Sequence, residues 1–204
     1  MTEPKNFNDI ALNWDEEPRR VKLAYDVATA ITAAITILPE WDAADIGCGT
    51  GLVTLQLAPL FRSITGVDNS GGMLDRLSAK VQQSGISNVR TELCNLAVGE
   101  LPAGTFNVVT SAMMLHHIND VKSLLILLKR ILRPGGWIAL ADLSAEDGSF
   151  HDDPTGVFHL GFRENELTEW LESCGYATIS VTAAATITKG INKYPVLLAV
   201  AQLH

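Results

Sequence analysis

The spacing of apolar positions changes several times along the chain, and each change marks a predicted element. Pro18 suits a first helical turn. After it, Val21, Leu23, Ala24, Ala28, Ile31, Ile35 and Leu38 recur at near-helical spacing until Pro39 stops the run. A short strand ending at Asp45-Ile46 follows, then a helix from about Leu52 that Pro59 interrupts. "SITGV" reads as a second strand ending at Asp68. Ser70 is placed to cap a helix whose apolar face is Met73, Leu74, Leu77 and Val81, and Gly85 ends it. "VRTELC" and "FNVVTS" read as strands, "DVKSLLILLKRILR" as a helix capped by Asp120, "PGG" as a turn and "WIALAD" as another strand. Glu164 to Ser173 has helical spacing. The two β-rich runs "ATISVTAAATIT" and "YPVLLAVAQL" have no helix between them and predict an antiparallel hairpin. The whole predicts an α/β fold, a seven-stranded, mainly parallel sheet with helices on both faces. Residues 1–204 are expected to form a single domain.

Composition narrows the setting. The chain is 47% hydrophobic and 19% charged, a globular balance, and its formal net charge of -8 makes nucleic acid a poor partner. Three separated cysteines, Cys48, Cys94 and Cys174, form no CxxC pair and suit a reducing compartment. "MTEPKNFNDI" lacks the basic and apolar regions of a signal peptide, and "SLLILLKRIL" is too short to span a bilayer. The reading is a cytoplasmic protein without an integral membrane segment.

The chemistry concentrates in "ADIGCGTGL". Gly47, Gly49 and Gly51 follow the first strand, where an open parallel sheet binds ligands. Asp68 lies about 20 residues further on, at the end of the second strand, where a carboxylate accepts hydrogen bonds from ribose hydroxyls. Together they imply a nucleoside-containing ligand. Asp45, two positions before the loop, suits an ammonium or sulfonium and would repel a pyrophosphate. That favours S-adenosylmethionine over a dinucleotide.

At this point the chain resembles the class I S-adenosylmethionine-dependent methyltransferases, whose fold is Rossmann-like. "DIGCGTG", "GVDNSGGML", "FNVVTSAMMLHHI" and "ILRPGGWIALAD" are similar to that family's motifs and occur in its order. The finer resemblance is to small-molecule enzymes of the quinone-biosynthesis type. It implies that Gly47, Cys48, Gly49 and Gly51 line the cofactor, with S-adenosylhomocysteine as product. It also implies that Asp45 helps hold the amino group, that Asp68 binds the ribose and that Asn69 and Met73 lie beside the adenosine. Asn95 and Leu96 would face the adenine, and Ser111 and Ala112 the methionine portion. Asn95 stands where the family usually has Asp, so its contact would lack charge assistance.

The cofactor supplies the electrophile, so the protein positions the acceptor, excludes water and, for an O–H nucleophile, takes a proton. His116, His117 and His159 are the candidate bases. Local packing is the competing role for at least one of the adjacent pair. No histidine spacing is diagnostic of a metal, and none is expected. Phe7, Ile10, Ala11 and Trp14 would share one helical face, so residues 1–40 are read as a helical cover over the pocket or as packing on the sheet. The irregular segment 143–162, which carries His151 and His159, is read as a lid or a solvated excursion. The expected activity is methyl transfer to a small-molecule or lipid-like acceptor. The alternatives are a non-catalytic cofactor sensor or scaffold, and a nicotinamide oxidoreductase, for which no hydride-transfer group is evident.

Overall fold

The computed structural model describes residues 6–204. Seven strands form one sheet: β1 (Asp42–Ile46), β2 (Ser63–Asp68), β3 (Val89–Leu93), β4 (Phe106–Ala112), β5 (Leu132–Leu143), β6 (Tyr176–Lys189) and β7 (Asn192–Leu203). Their order is β3-β2-β1-β4-β5-β7-β6. The first five run parallel, and β7 is antiparallel to both β5 and β6. Strand order reverses between β1 and β4, so the crevice at their carboxyl ends is the switch point where such sheets bind ligands. Every residue of β1 is buried, as a central parallel strand requires.

The helices are α1 (Pro18–Ala34), α2 (Leu52–Leu57), α3 (Gly71–Gln83), α4 (Val121–Leu128) and α5 (Glu164–Ser173). Val27, Ile31, Val53 and Leu57 of α1 and α2 pack on one face of the sheet with Ile64, Val108 and Val200. Leu124, Leu128, Leu167 and Leu171 of α4 and α5 pack on the other with Ile46, Val109 and Ile138. A register shift between Ala183 and Ala185 changes the face presented by odd-numbered residues of β6. Ile179 and Val181 therefore meet the α4/α5 cluster, whereas Ala185 and Ile187 meet the α1/α2 cluster.

Three local expectations change. The predicted helix through Arg133 stops at Leu128, because Leu132 already pairs with Phe106. "PGG" lies within β5 as an irregularity, with Gly135 at φ 73°, and does not form a separate turn. Asn8–Glu16 is a 3₁₀ helix, and of its residues only Ala11 is buried. Its period of three places Asn8, Ala11 and Trp14 on one face, which breaks up the apolar stripe expected from α-helical spacing. Residues 1–5 of the expected cover lie outside the described residues.

Candidate functional site

The glycine loop turns sharply from β1 into α2. Gly47, Gly49 and Gly51 all have positive φ, at 67°, 55° and 80°. A Cβ on Gly51 would lie 2.3 Å from Leu77 Cδ1, so this glycine lets α2 close on α3. At Gly49 a Cβ would meet only Met73 Sδ, at 3.9 Å, so here the backbone is bare toward open space. Asp68 holds the loop from β2: its Oδ2 accepts from the Gly49 N–H at 2.8 Å and its Oδ1 from the Ser70 N–H at 2.9 Å. Burial raises the Asp68 carboxyl above its ordinary range, against the pull of these backbone donors.

Asp45 is 1% exposed. Its Oδ2 accepts from the Thr54 hydroxyl at 2.5 Å and its Oδ1 from the Thr110 hydroxyl at 2.9 Å. Burial pushes its carboxyl up to about 6; the two threonines oppose this and the neighbouring Asp68 charge adds to it. Asp45 thus reaches the loop through α2 and β4, as a buried negative charge behind the crevice.

The exit from β4 forms the opposite wall. Ser111 is buried, and its Oγ has no hydrogen-bond partner among the described residues, an orphan beside Ile46 at the carboxyl rim. Met113 adopts a left-handed φ of 56°, a strained conformation for a side chain of its size. The reversal lays Met114 over the loop, with its Cγ 2.4 Å from where a Gly47 Cβ would stand. A short 3₁₀ turn, Leu115–His117, follows. His116 turns inward and donates from Nδ1 to Asp142 Oδ1 at 2.6 Å, with both residues 2% exposed. Asp142 also accepts from the backbone N–H groups of His116 and Leu143. Burial alone would raise the Asp142 carboxyl, but the His116 imidazole and these donors outweigh it and hold it below the usual range. His117 packs its ring against that of His116, centroids 4.2 Å apart, and donates from Nδ1 to the Gly156 carbonyl at 2.7 Å.

Two segments close over this rim. The first is the 3₁₀ segment before α1. Asn8 Oδ1 accepts from the Ser70 hydroxyl and the Gly72 N–H, both at 2.8 Å. Asp15 takes the Thr50 hydroxyl at 2.5 Å and Lys80 Nζ at 2.7 Å. The segment is therefore a strap across the glycine loop, and it brings the Phe7 ring to 5.3 Å from the His117 ring. The second is the stretch after β5, whose neck is closed by Ser144 pairing with Phe162. It is moored on the histidine turn: Phe158 N–H donates to the His116 carbonyl at 2.9 Å, and His159 Nε2 to the Ile118 carbonyl at 2.9 Å. The hairpin tip adds Lys189, donating to the Phe150 carbonyl, and Tyr194, bonded to Ser149. His151 is carried to 4.9 Å from the His116 ring.

The structure thus brings Asp45, the three glycines, Asp68, Met73, Ser111, His116 and His117 to one rim. Cys48 contributes its backbone there. Its side chain packs away with Leu74 and Leu77, and burial pushes its thiol well up. Asn69 is exposed just beyond β2, and Ala112 is half-buried at the end of β4. Asn95 lies in the turn after β3, where its N–H donates to Glu100, and Leu96 packs on the α4/α5 cluster. His159 packs against Phe162 and Trp170 and spends its Nε2 on mooring. Sequence reasoning did not single out Asp142, Asn8, Asp15 or Lys80. Asp142 carried the same signal as Asp45 and Asp68, an acid ending an apolar strand run; the others carried none. Among the described residues no three His, Cys, Asp or Glu side chains are grouped to hold a metal ion, and no helix is long and apolar enough to cross a membrane.

The donor set suits a nucleoside-bearing cation: a buried carboxylate behind the loop, a second acid at the end of β2, a bare Gly49 and the orphan Ser111 hydroxyl. Comparison with known proteins agrees. A family model described as a methyltransferase domain matches residues 44–140. A ubiquinone biosynthesis O-methyltransferase of Methylococcus capsulatus is 28% identical over 216 positions, covering 93% of this chain and 91% of that protein. An uncharacterized methyltransferase of Schizosaccharomyces pombe is 32% identical over 126 residues, 57% of this chain. The chain spans less than two thirds of the length of several such relatives, 44% for the S. pombe protein. Phosphoethanolamine N-methyltransferase 2 of Haemonchus contortus, solved with S-adenosyl-L-methionine, superposes with a TM-score of 0.71 at 18% identity, over 85% of this chain and 51% of that one; this likeness shows the fold. On its fold, its motifs and these relatives, the chain belongs to the class I S-adenosylmethionine-dependent methyltransferases.

Proposed function

We propose that this chain methylates a small-molecule or lipid-like acceptor held between the strap, the His116-His117 turn and the segment 143–162. The observation that carries this is closure from two sides. Phe7 of the strap meets the His117 ring edge-on at 5.3 Å, and Phe150 meets the His151 ring at 4.8 Å. The two ring pairs, in this reading, wall a mouth roofed by two short segments, which suits a compact apolar group better than a folded macromolecule. In this reading residues 1–204 act as one domain, with residues 1–40 as cover and 143–162 as lid. The net charge of -8 disfavours nucleic acid, and the cytoplasm is the working compartment. Similarity to a ubiquinone biosynthesis O-methyltransferase supports a small-molecule acceptor methylated on oxygen.

Asp68 and the bare backbone at Gly49 would hold the adenosine end, and Asp45, Ser111 and Ala112 the methionine end. The bound cofactor supplies an electrophilic methyl group. The chain orients the acceptor, excludes water and accepts a proton. The test is S-adenosylhomocysteine formation with a panel of phenols, catechols, amines and thiols, set beside protein and tRNA fractions. Turnover confined to small molecules is expected. Turnover of only the macromolecular fractions would overturn the reading, as would cofactor binding with no transfer to any acceptor.

A further inference from the structure

We propose that Asp142 is a positioning residue that holds His116 as the general base for an acceptor whose nucleophile is an ionisable O–H, as in a phenol or enol. This rests on the proposed function and deepens it. The geometry fixes the tautomer. A carboxylate can only accept, so in the neutral imidazole the 2.6 Å contact to Asp142 Oδ1 puts the one ring proton on Nδ1 and leaves the lone pair on Nε2. Asp142 is itself fixed by two backbone N–H groups, from His116 and Leu143. A buried acid with three donors and no freedom to turn is a stiff support for one ring orientation.

The place is suited to chemistry. Met114, two residues before His116, lies on Gly47 of the cofactor loop. The rings of His117 and His151 lie 4.2 Å and 4.9 Å from His116, one beneath the strap and one on the lid. Among the described residues, these two rings and Asp142 are the titratable groups that face His116.

The chemical class follows from what the dyad can stabilise. When Nε2 takes a proton, the imidazolium forms beside a buried carboxylate already aimed at it, as in a serine hydrolase triad. A thiol, with a pKa of about 8.5, is partly ionised without help, whereas a phenol near 10 is ionised only to about one part in a thousand at neutral pH. An ammonium acceptor would need a carboxylate to receive it, and Asp142 is already committed to His116 and the backbone. The O–H proton moves to His116 Nε2 and the oxygen's electron pair forms the new C–O bond. The C–S pair stays on sulfur, giving a neutral thioether, and the proton then passes from Nε2 to water.

The probe is a series of substituted phenols with pKa values from about 7 to about 10. His116→Gln is expected to lower kcat by about 10²- to 10⁴-fold with the least acidic members, with KM nearly unchanged. That loss should shrink to below about tenfold with the most acidic ones, which ionise in solution. Asp142→Asn should show the same trend with a smaller loss. An independent readout uses the wild-type protein without cofactor: ¹⁵N-NMR should show His116 protonated at Nδ1 and bare at Nε2, and a mixed tautomer in Asp142→Asn. If His116→Gln fails to fold, Asp142→Asn and the wild-type spectrum still decide. A loss independent of phenol pKa, or a neutral His116 whose one ring proton sits on Nε2, would overturn the dyad's role. Turnover of amines or thiols but no phenol would overturn it while leaving the proposed function standing. Cofactor binding without transfer to any acceptor would instead remove the proposed function itself.

Discussion

Replacing Asp45 by Asn should make the protein more stable and a worse binder of its cofactor. Asp45 is buried and its carboxyl is raised from 3.8 to about 6, chiefly by burial. The folded state therefore holds this proton more tightly than the unfolded chain does. The linkage runs opposite to the usual salt-bridged acid: Asp45 costs nothing below about pH 4, its cost grows between about 4 and 6, and it is full above 6. A shift of about two units corresponds to about 3 kcal/mol. Asn removes that cost but must point its amide at one threonine hydroxyl, returning about 1 kcal/mol. The net gain at pH 8 is about 2 kcal/mol, or about 4–8 °C in Tm for a chain of this size. At pH 4 the gain should be gone and the variant slightly less stable than wild type. Affinity for the cationic cofactor should fall at least about tenfold, and wild-type affinity should itself weaken as pH drops through 6. Thermal melts from pH 4 to 8 and calorimetry with S-adenosylmethionine measure both. An Asn variant no more stable at pH 8 than at pH 4, with unaltered affinity, would refute the placement of a buried charge behind the methionine end.

Three further outcomes follow from the same geometry. Asp68→Ala should weaken both S-adenosylmethionine and S-adenosylhomocysteine by about ten- to a hundredfold in calorimetry, and Asn95→Ala by less, since a neutral acceptor loses less than a charged one; the reverse order would displace Asn95 from the adenine. Asp15→Ala breaks the contacts to Thr50 and Lys80, so it should cost about 1 kcal/mol in denaturant unfolding and raise the cofactor dissociation rate in stopped-flow; an unchanged dissociation rate would mean that the strap does not gate the site. His159→Ala removes a mooring bond of the segment 143–162 and should lower turnover while cofactor affinity stays within about threefold; undiminished turnover would separate that segment from catalysis.

Much of this fold is legible because its signals are local. Hydrophobic period, Pro18, Ser70 and Asp120 act within a turn of where they stand, and they place α1, α3 and the start of α4. The glycine loop and the acids near the ends of β1 and β2 were legible for the same reason: a carboxylate in the last two residues of a strand advertises the rim. The end of α4 was not legible. Leu132 suits a helix and a strand equally, and pairing with Phe106 decided between them. The strap was misread in period because its docking partners, Ser70, Gly72 and Lys80, lie more than fifty residues away in the chain.

The His116–Asp142 pair shows where the limit lies. In a parallel pair, whatever follows one strand falls beside whatever follows its neighbour. The register matches Ala112 at the end of β4 with Ala141 in β5, so the turn leaving β4 must pass Asp142. Knowing that β4 and β5 are neighbours would have been enough to bring the acid near a histidine, but not to say which of the two it takes. The left-handed Met113 decides that. By reversing the chain one residue past β4, it sets the His116 Nδ1 on the acid and the His117 Nδ1 on the Gly156 carbonyl. Two identical adjacent side chains, their rings still in contact, thereby acquire different hydrogen-bond partners, one a buried carboxylate and the other a loop carbonyl. The cause is a backbone strain that no residue type at that position announces.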